Sequence, residues 1–504
     1  MNRIVLRTFV IAFWLVMTAW LIRYEAFPDF FNDTLEGYRG LVSADVLMED
    51  SWMQILFNGA PIGYSHSRLE VKEGNAARRY EMGNRTELRL NLMGERRRLH
   101  VDTEIYLDVL HSLREFSFSL VSGTYQMRIK ALRVKGNTFR VALRAGESVQ
   151  HLNLEIPDDV ILYSPMTETA MRKLKPGQKL VIRTLDPSSL SVVPLTIRAL
   201  RKEAVTVGGK THEATVLSSD YRGAEVLAWI GADGQMLREQ TPFGWTLESC
   251  SAEEALAAVA GGGADEDLLR GLAVKSEGII RDPEGTRGLR LRLTGVAFAT
   301  NELASNRQIV EKAAGRSVDL LALPASIPAA TNVARAPADY ADYLKPSAYL
   351  QSDHPDMQAR ARAIVEDRTN LLARADAIFE WVYGHVSKQM TVSVPSALDV
   401  LRTLKGDCNE HTYLFVALAR AAGVPAKIRV GLAYREGAFY YHAWPAVWAG
   451  DWVEMDPTWG ERLADASHLG LVEGELASQM DLLKVMGQLK IKVVEEFKAD
   501  AGKP

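Results

Sequence analysis

The feature that most constrains the fold is a helix followed by two strands in the C-terminal part of the chain. Residues 409–422 carry apolar side chains at helical spacing, with a glycine and a proline just beyond them. Residues 426–434 and 439–448 have the composition of paired strands around a Glu436-Gly437 turn. This pattern predicts a helix packed on a small antiparallel sheet, which is an α+β arrangement.

A cysteine stands at the predicted start of this helix. Asp407 fits the N-cap, and Glu410 lies three residues further on, as in a capping box, so Cys408 becomes the first helical residue. At that position the helix dipole favours a thiolate, and free backbone N–H groups are available to an oxyanion. A structural cysteine needs neither property. The pattern therefore predicts that Cys408 is a nucleophile.

A histidine and an aspartate are predicted to meet beside the cysteine. His442 lies on the second strand, and Asp456 follows a turn at residues 449–451. A hairpin centred on residue 449 places these two residues opposite each other, with about 4.5–5.5 Å between their Cβ atoms. A carboxylate at this distance fixes the imidazole tautomer and stabilises its charged form. Cys408, His442 and Asp456 are thus the predicted catalytic residues, with Glu454 as the alternative carboxylate if the register differs.

These motifs resemble those of the transglutaminase-like superfamily, in the branch with a papain-like Cys-His-Asp triad. The resemblance covers about Tyr343 to Leu471, roughly a quarter of the chain. The matching motifs are Gly-Asp-Cys-Asn-Glu-His at 406–411, Arg-Ala-Ala-Gly-Val-Pro-Ala at 420–426, His-Ala-Trp at 442–444 and Trp-Val-Glu-Met-Asp-Pro-Thr at 452–458. One departure is Pro445-Ala446-Val447, where members often carry an acidic residue two places after the His-Ala-Trp motif.

The resemblance implies acyl transfer on carboxamide or peptide bonds through a thioester on Cys408. His442 would transfer the proton, and Asp456 would orient His442. The resemblance does not choose between peptidase, deamidase and crosslinking transglutaminase activity. A peptidase or amidase acting on a protein or peptide substrate is favoured here.

Other interpretations of the same residues are weaker. Cys408 and His411 have Cys-x-x-His spacing, but no second pair stands nearby to complete a zinc site, so no metal and no cofactor are predicted. Cys250 could form a disulfide with Cys408 in an oxidising compartment, although the two are expected in different domains. Four tryptophans are expected to line either the cleft or the core: Trp444, Trp448, Trp452 and Trp459.

The N-terminus predicts a membrane anchor. Between Arg7 and Arg23 lies an uncharged run of 15 residues, and residues 4–6 extend it towards the ~20 that span a bilayer. No cleavage site of small residues follows, so an uncleaved signal anchor is favoured over a cleaved signal peptide. The basic start favours a cytoplasmic N-terminus, which places the bulk of the chain in the periplasm, anchored to the inner membrane.

The chain has 504 residues, enough for about three domains, and a net charge of −4 gives no reason to expect a nucleic-acid partner. Alternating apolar and polar residues with recurring turn signals predict a large antiparallel β-rich region. The predicted segments are a transmembrane helix at 1–23, a β-rich domain at 24–260, a linker with additional strands at 261–342, the core at 343–471 and a tail at 472–504. Residues 495–504 are expected to be frayed.

An alternative function of a different class follows from the β-rich region. One-sided alternation is compatible with a curved sheet that binds a lipid, an envelope component or a protein partner. The papain-like core would then serve as a scaffold or regulator.

Overall fold

The computed structural model describes residues 48–498 except for 73–78, 124, 147, 163–170, 172–173, 261–265, 330–331 and 395, and it also describes residues 13–14, 17–18 and 33–34. Apart from the four helical positions at 13–14 and 17–18, the predicted anchor at 1–23 lies outside the described residues. Within the part that the structure describes, no helix is long and apolar enough to cross a membrane.

The N-terminal half forms one sheet of sixteen described strands. Their bounds are β1 (Asp33–Thr34), β2 (Met48–Phe57), β3 (Ala60–Val71), β4 (Tyr80–Leu92), β5 (Glu95–Leu107), β6 (Leu113–Ser122), β7 (Tyr125–Lys135), β8 (Thr138–Ala145), β9 (Ser148–Glu155), β10 (Val160–Ile161), β11 (Lys179–Asp186), β12 (Ser191–Val207), β13 (Lys210–Tyr221), β14 (Ala224–Gly231), β15 (Met236–Gln240) and β16 (Trp245–Ser249). The order is β1-β11-β12-β13-β14-β15-β16-β2-β3-β4-β5-β6-β7-β8-β9, and β10 also pairs with β11. β1 and β10 run parallel to β11, and all other neighbours are antiparallel.

The predicted alternation explains why this region is a sheet. On β4, Leu88, Leu90 and Leu92 are buried, and the residues between them are more exposed. Met93 and Gly94 both have positive φ, of 51° and 85°, which is the backbone that a tight two-residue hairpin requires. The prediction of a large antiparallel β-rich region is therefore confirmed.

The C-terminal half contains a second sheet covered by helices. Its strands, with the short β21–β22 pair, are β17 (Val274–Glu277), β18 (Thr286–Thr294), β19 (Gln308–Ala314), β20 (Ser317–Ala322), β21 (Ser387–Lys388), β22 (Lys405–Gly406), β23 (Ala426–Arg435), β24 (Ala438–Trp448), β25 (Trp452–Glu454), β26 (Leu469–Glu473) and β27 (Lys490–Lys498). The order is β19-β20-β18-β27-β17-β24-β23-β26, and β25 pairs with β24. The α-helices are Ala252–Ala260, Leu268–Leu272, Thr300–Leu303, Pro355–Val365, Leu371–His385, Ala397–Thr403, Cys408–Ala421 and Leu476–Gln479, and the 3₁₀ helices are Ala338–Leu344 and Met480–Lys484.

Strand β18 has the predicted two-faced pattern. Leu289, Leu291 and Leu293 are fully buried, while Arg290 and Arg292 point to the partly solvated face. Arg292 Nε lies 2.6 Å from Asp319 Oδ1 of the neighbouring strand β20. The alternating arginines therefore form cross-strand ion pairs on the strand surface.

The charged C-terminal segment differs from its prediction. Residues 495–498 were expected to be frayed, but they belong to β27, which lies between β17 and β18. Glu495 forms an ion pair with Arg290 across the β18–β27 ladder. The prediction was wrong for these residues because their charges pair with the opposing strand, which a count of charges cannot reveal. Residues 499–504 lie outside the described part.

The two halves share one apolar core. A continuous cluster of buried side chains runs from β5–β8 of the first sheet to the helices and strands of the second. Polar contacts join the halves as well, since Gln150 Nε2 donates to Ala348 O at 2.6 Å and Arg222 Nη1 lies 2.8 Å from Asp481 Oδ1. The helix that begins at Cys408, called the Cys408 helix below, is fully buried from Tyr413 to Ala419 and packs against β23 and β24.

Candidate active site

The Cys408 helix begins where the sequence predicted. Asp407 is the N-cap, and its Oδ1 accepts a hydrogen bond from Asn409 N at 3.1 Å. Glu410 Oε2 accepts in turn from Asp407 N at 2.9 Å, which completes the capping box. Gly406 has a φ of +154°, and a Cβ there would lie only 2.2 Å from Glu410 Cβ. A glycine is therefore needed for the close approach that holds this cap in place.

The surroundings of Cys408 oppose ionisation of the isolated thiol. Burial raises the pKa of the Cys408 thiol well above its usual value, and the Asp407 carboxyl adds to the increase. A hydrogen bond with the Ala443 backbone acts in the opposite direction but is the weaker effect. The expected benefit of the helix N-terminus is thus outweighed by desolvation. A thiolate at Cys408, which is half-buried, requires a positive charge beside it.

Strand β24 brings the imidazole to the cysteine. His442 directly precedes Ala443, the residue whose backbone contacts the Cys408 sulfur. The same strand is fixed to the Cys408 helix by Thr412, whose Oγ1 donates to Ala443 O at 3.0 Å. The structure therefore places the predicted base and the predicted nucleophile on adjacent elements that are held in register.

His442 is paired with Asp456 inside the protein. His442 Nε2 lies 2.8 Å from Asp456 Oδ2, and both side chains are buried. Burial raises the pKa of the Asp456 carboxyl, but charge interactions and hydrogen bonds with His442 and His468 outweigh it and hold the pKa below its usual range. An ionised Asp456 assigns the proton of His442 to Nε2 and leaves Nδ1 as the ring nitrogen able to accept a proton.

The hairpin register differs from the prediction. β24 and β25 pair Ala446 with Glu454, so the hairpin is centred on residue 450 and not on 449. Asp456 is therefore not opposite His442 in a ladder, and it lies two residues beyond the end of β25. The three residues 449–451 form the turn and residue 450 is their middle, so a count centred on 449 shifts the partner of each residue by two positions.

A backbone turn after β25 carries Asp456 to His442 instead. Asp456 N donates to Glu461 O at 2.8 Å, and Glu461 N donates back to Asp456 O at 2.9 Å. Inside this turn, Asp456 Oδ1 accepts hydrogen bonds from Thr458 N at 2.8 Å and Trp459 N at 3.2 Å. These two donors fix one carboxylate oxygen and leave Oδ2 directed at His442.

A second histidine, His468, belongs to the site and was missed by sequence reasoning. It is fully buried, with Nε2 3.2 Å from Asp456 Oδ2 and Nδ1 3.1 Å from Asp465 Oδ1. Burial lowers the pKa of His468, but hydrogen bonds to Asp456 and Asp465 outweigh it and raise the pKa to about 10. His468 is thus a cation at neutral pH. The spacing Asp465-x-x-His468 is the only local signal for this histidine in the sequence. It does not indicate that His468 contacts Asp456, which lies more than ten positions earlier.

Glu454, the alternative carboxylate, has other partners. Its Oε2 accepts from Trp444 Nε1 at 2.6 Å and lies 2.9 Å from Arg307 Nε, and its Oε1 lies 3.5 Å from Arg429 Nε. Burial raises the pKa of Glu454, but the two guanidinium groups outweigh it and hold the pKa below its usual range. Glu454 therefore anchors β25 in a buried ionic cluster that sequence reasoning did not identify, because Arg307 comes from a distant segment.

Two of the four predicted tryptophans surround the imidazole. The Trp459 ring is stacked on His442 with centroids 4.2 Å apart and planes at 16°, and Trp444 lies further away at 5.9 Å. Trp459 restricts rotation of the imidazole, so it supports the same orientation that Asp456 imposes. The other two tryptophans pack against tyrosine rings of the 338–344 segment.

The remaining predicted interpretations concern metals and disulfides. His411 Nδ1 donates to Asp407 O at 2.6 Å, so this nitrogen is used within the helix. The side-chain nitrogen and oxygen atoms of His442, Asp456 and His468 lie within 4.8 Å of one another, a spacing that is also compatible with a metal ion. These atoms are the ones that form the hydrogen bonds described above. Cys250 and Cys408 are both free thiols.

Comparison with known proteins identifies the core. Residues 358–457 match the model of the transglutaminase-like superfamily. The C-terminal half therefore contains a transglutaminase-like core, as the motifs predicted. The match begins inside helix Pro355–Val365 and ends one residue after Asp456, so it includes all three residues of the predicted triad.

Several curated relatives match part of this chain. An uncharacterized protein of Haemophilus influenzae is 33% identical over an alignment of 120 residues, and the match covers 20% of this chain and 31% of that protein. Kyphoscoliosis peptidase of Mus musculus is 29% identical over 119 residues, and that of Homo sapiens is 31% identical over 109 residues. These matches cover 21% and 19% of this chain, and 18% and 16% of the two peptidases. The chain thus spans less than a third of the length of each relative.

Solved structures with partial likeness are more distant. A candidate cysteine protease from Cytophaga hutchinsonii aligns with a TM-score of 0.31 and 17% identity, over 46% of this chain and 90% of that one. The periplasmic domain of TgpA from Pseudomonas aeruginosa aligns with a TM-score of 0.28 and 16% identity, over 38% of this chain and 90% of that one.

Proposed function

We propose that this protein is a thiol-dependent acyl-transfer enzyme that hydrolyses a carboxamide or peptide bond through a thioester on Cys408. The observation that carries the proposal is the buried 2.8 Å contact between His442 Nε2 and Asp456 Oδ2 beside the start of the Cys408 helix. The match to the transglutaminase-like superfamily supports the same chemistry, because its members are typically cysteine-dependent enzymes. The similarity to kyphoscoliosis peptidases favours a peptide substrate.

The proposed reaction has two steps. In the first, His442 takes the thiol proton, the Cys408 sulfur attacks the carbonyl carbon, and the C–N bond breaks as His442 returns the proton to the leaving amine. In the second, His442 takes a proton from water, the resulting hydroxide attacks the thioester, and the acid leaves as the thiol regains its proton. The backbone N–H of Cys408 stabilises the oxyanion in both steps.

The raised thiol pKa fits this scheme. Because burial disfavours a lone thiolate, the ion pair of thiolate and imidazolium forms only when His442 accepts the proton. Asp456 stabilises that imidazolium from the other side of the ring. Water as the acceptor gives hydrolysis, and an amine in its place gives crosslinking.

Two cysteine variants test the proposal. Cys408→Ser is expected to fold normally and to lose thiol-dependent activity, while Cys250→Ser keeps that activity. A small thiol-directed electrophile, such as iodoacetamide, is expected to label Cys408 faster than Cys250 near neutral pH, as measured by mass spectrometry of the peptides. If Cys250→Ser is the inactive variant, the assignment is wrong. If both variants keep all activity, the alternative binding or scaffold function of the β-rich region is favoured.

We also propose that residues 1–23 anchor the enzyme to the inner membrane with its bulk in the periplasm. The support is the apolar run between Arg7 and Arg23. A chain that starts near Glu25 is expected to fractionate as soluble protein, while the full chain sediments with membranes. A mature N-terminus beyond Ile22, found by mass spectrometry, would contradict the anchor.

A further inference from the structure

The N-terminal sheet lines a cavity of about 370 Å³ that is partly open to solvent. Residues from β11 to β15 line one side, and Thr103 of β5 lines the other. Four strands lie between β15 and β5 in the order of the sheet, so the sheet must curl over to bring both to one cavity. None of the triad residues lines it. A cavity of this size is at the lower end of those that bind small molecules.

The walls of the cavity are mainly apolar. Leu162, Met171, Leu195, Val226 and Ala228 all contribute to the lining. Val226 and Ala228 alternate along β14 and therefore face the same side of the sheet. Such a surface accommodates an aliphatic or aromatic group better than a sugar or a phosphate, because it offers few hydrogen-bond partners.

Two carboxyl groups, those of Glu239 and Asp186, interrupt this apolar surface. Glu239 lies on β15 directly opposite Ala228, so its side chain shares the face that lines the cavity. Burial raises the pKa of the Glu239 carboxyl to about 7. Among the described residues, no side chain forms a hydrogen bond or ion pair with it. Its neighbour Arg238, on the other face, lies 2.6 Å from Glu248.

The other polar groups of the lining do not offer a cation to this carboxyl. Asp186 accepts hydrogen bonds from the Ser188 and Ser189 hydroxyls at 2.7 Å each. Thr103 and Ser219 contribute neutral hydroxyls. No described residue in the lining is basic, so the cavity presents acceptors and negative charge to whatever enters it.

We propose that this cavity binds a small amphipathic amine, with its apolar body against the leucine and valine walls and its ammonium group on Glu239. Glu239 is a half-buried carboxyl with no side-chain partner among the described residues, and a protonated amine supplies both an opposite charge and hydrogen-bond donors. A ligand with a carboxylate head is disfavoured, because it would stand beside Glu239 and Asp186. The site goes beyond the proposed acyl-transfer function and does not depend on Cys408.

The test uses three probes of equal chain length on the full chain: octylamine, octanol and octanoate. Calorimetric titration at pH 8 keeps the amine charged and Glu239 largely ionised. Octylamine is expected to bind at one site about tenfold or more tightly than octanol, as a hydrogen bond to a charged group implies, and octanoate is expected to bind most weakly.

Two variants locate the site. Glu239→Gln keeps the shape of the side chain, so it is expected to lose about tenfold in octylamine affinity while octanol binding stays the same. Glu248→Gln, the matched control on the other face, is expected to bind all three probes as the parent chain does. Thermal unfolding verifies that both variants are folded.

Three results would overturn the proposal: octanoate binding as tightly as octylamine, no binding of octylamine, or equal octylamine affinity in the Glu239→Gln variant. None of these results bears on Cys408, because the labelling of that residue is measured separately. Conversely, loss of activity in Cys408→Ser leaves octylamine binding unchanged. The failure of either proposal is thus distinguishable from the failure of the other.

Discussion

The role of Asp456 can be tested by changing a single atom. In Asp456→Asn, the side-chain carbonyl oxygen is expected to stay where Oδ1 lies, because Thr458 N and Trp459 N donate hydrogen bonds there. The new NH₂ group then takes the place of Oδ2, which lies 2.8 Å from His442 Nε2 in the parent protein. It presents a hydrogen-bond donor to that nitrogen. A donor at that place forces the ring proton of His442 to Nδ1. The imidazole can then no longer accept the thiol proton.

The size of the effect follows from the lost contact. A hydrogen bond to a charged group contributes about 1.5–3 kcal/mol, which corresponds to a rate loss of roughly tenfold to a hundredfold. The wrong tautomer adds to this loss, and in a serine protease triad the same substitution costs about 10⁴ in kcat. A cysteine is more easily ionised than a serine. We therefore expect a loss on the order of 10–10³ for Asp456→Asn.

The assay is the pH dependence of Cys408 alkylation by iodoacetamide, measured with the rate of substrate turnover. Asp456→Asn is expected to shift the alkylation profile to higher pH, because the imidazolium that stabilises the thiolate is weakened. Glu454→Gln is the matched control, since Glu454 contacts Arg307 and Trp444 and not the imidazole. An unchanged profile for Asp456→Asn together with a shifted one for Glu454→Gln would refute the assignment of Asp456.

Two further predictions concern stability. Glu454→Gln leaves two buried guanidinium groups without their carboxylate. The free energy of unfolding, measured in urea titrations, is therefore expected to fall by about 3–5 kcal/mol. A variant as stable as the parent would contradict the buried ionic cluster. His468 has a pKa raised from 6.5 to about 10, so its stabilising effect is complete below pH 6.5 and is lost as the pH rises through 10. The Tm difference between the parent chain and His468→Gln is therefore expected to shrink between pH 6.5 and 10, and a constant difference would show that His468 is not a buried cation.

Local patterns were sufficient for the elements that carry the triad. The start of the Cys408 helix was predictable because a capping box depends on residues only three positions apart. The β23–β24 hairpin was predictable because Glu436 and Gly437 adopt positive φ, of 48° and 87°, in a two-residue turn. Both signals are short-range, so no knowledge of tertiary structure was needed.

Contacts between distant segments could not be predicted in the same way. Asp456 meets His442 through a turn closed by Glu461, whereas the hairpin count centred on residue 449 paired the two residues in a ladder that the structure does not form. Arg307 lies well over a hundred residues before Glu454, and its charge has no periodic pattern that marks it as buried. Long-range ionic pairs of this kind depend on how two layers pack, and the sequence of either layer alone does not determine that.

The buried charges around the triad explain how Asp456 can act on His442. Asp456 Oδ2 receives hydrogen bonds from two imidazoles, and the one on His468 is a permanent cation near neutral pH. The negative charge of Asp456 is therefore shared between the two imidazoles, and charge interactions and hydrogen bonds with His442 first, and then with His468, offset its burial. Asp456 also fixes the orientation of the ring, because its lone pair holds the Nε2 proton of His442 and leaves Nδ1 as the nitrogen that can accept a proton. The stacked Trp459 ring restricts the same rotation, so the imidazole keeps its orientation whether or not it carries the second proton. In the proposed reaction the base first takes a proton from sulfur and then returns it to nitrogen, so a constant orientation of the ring serves both transfers.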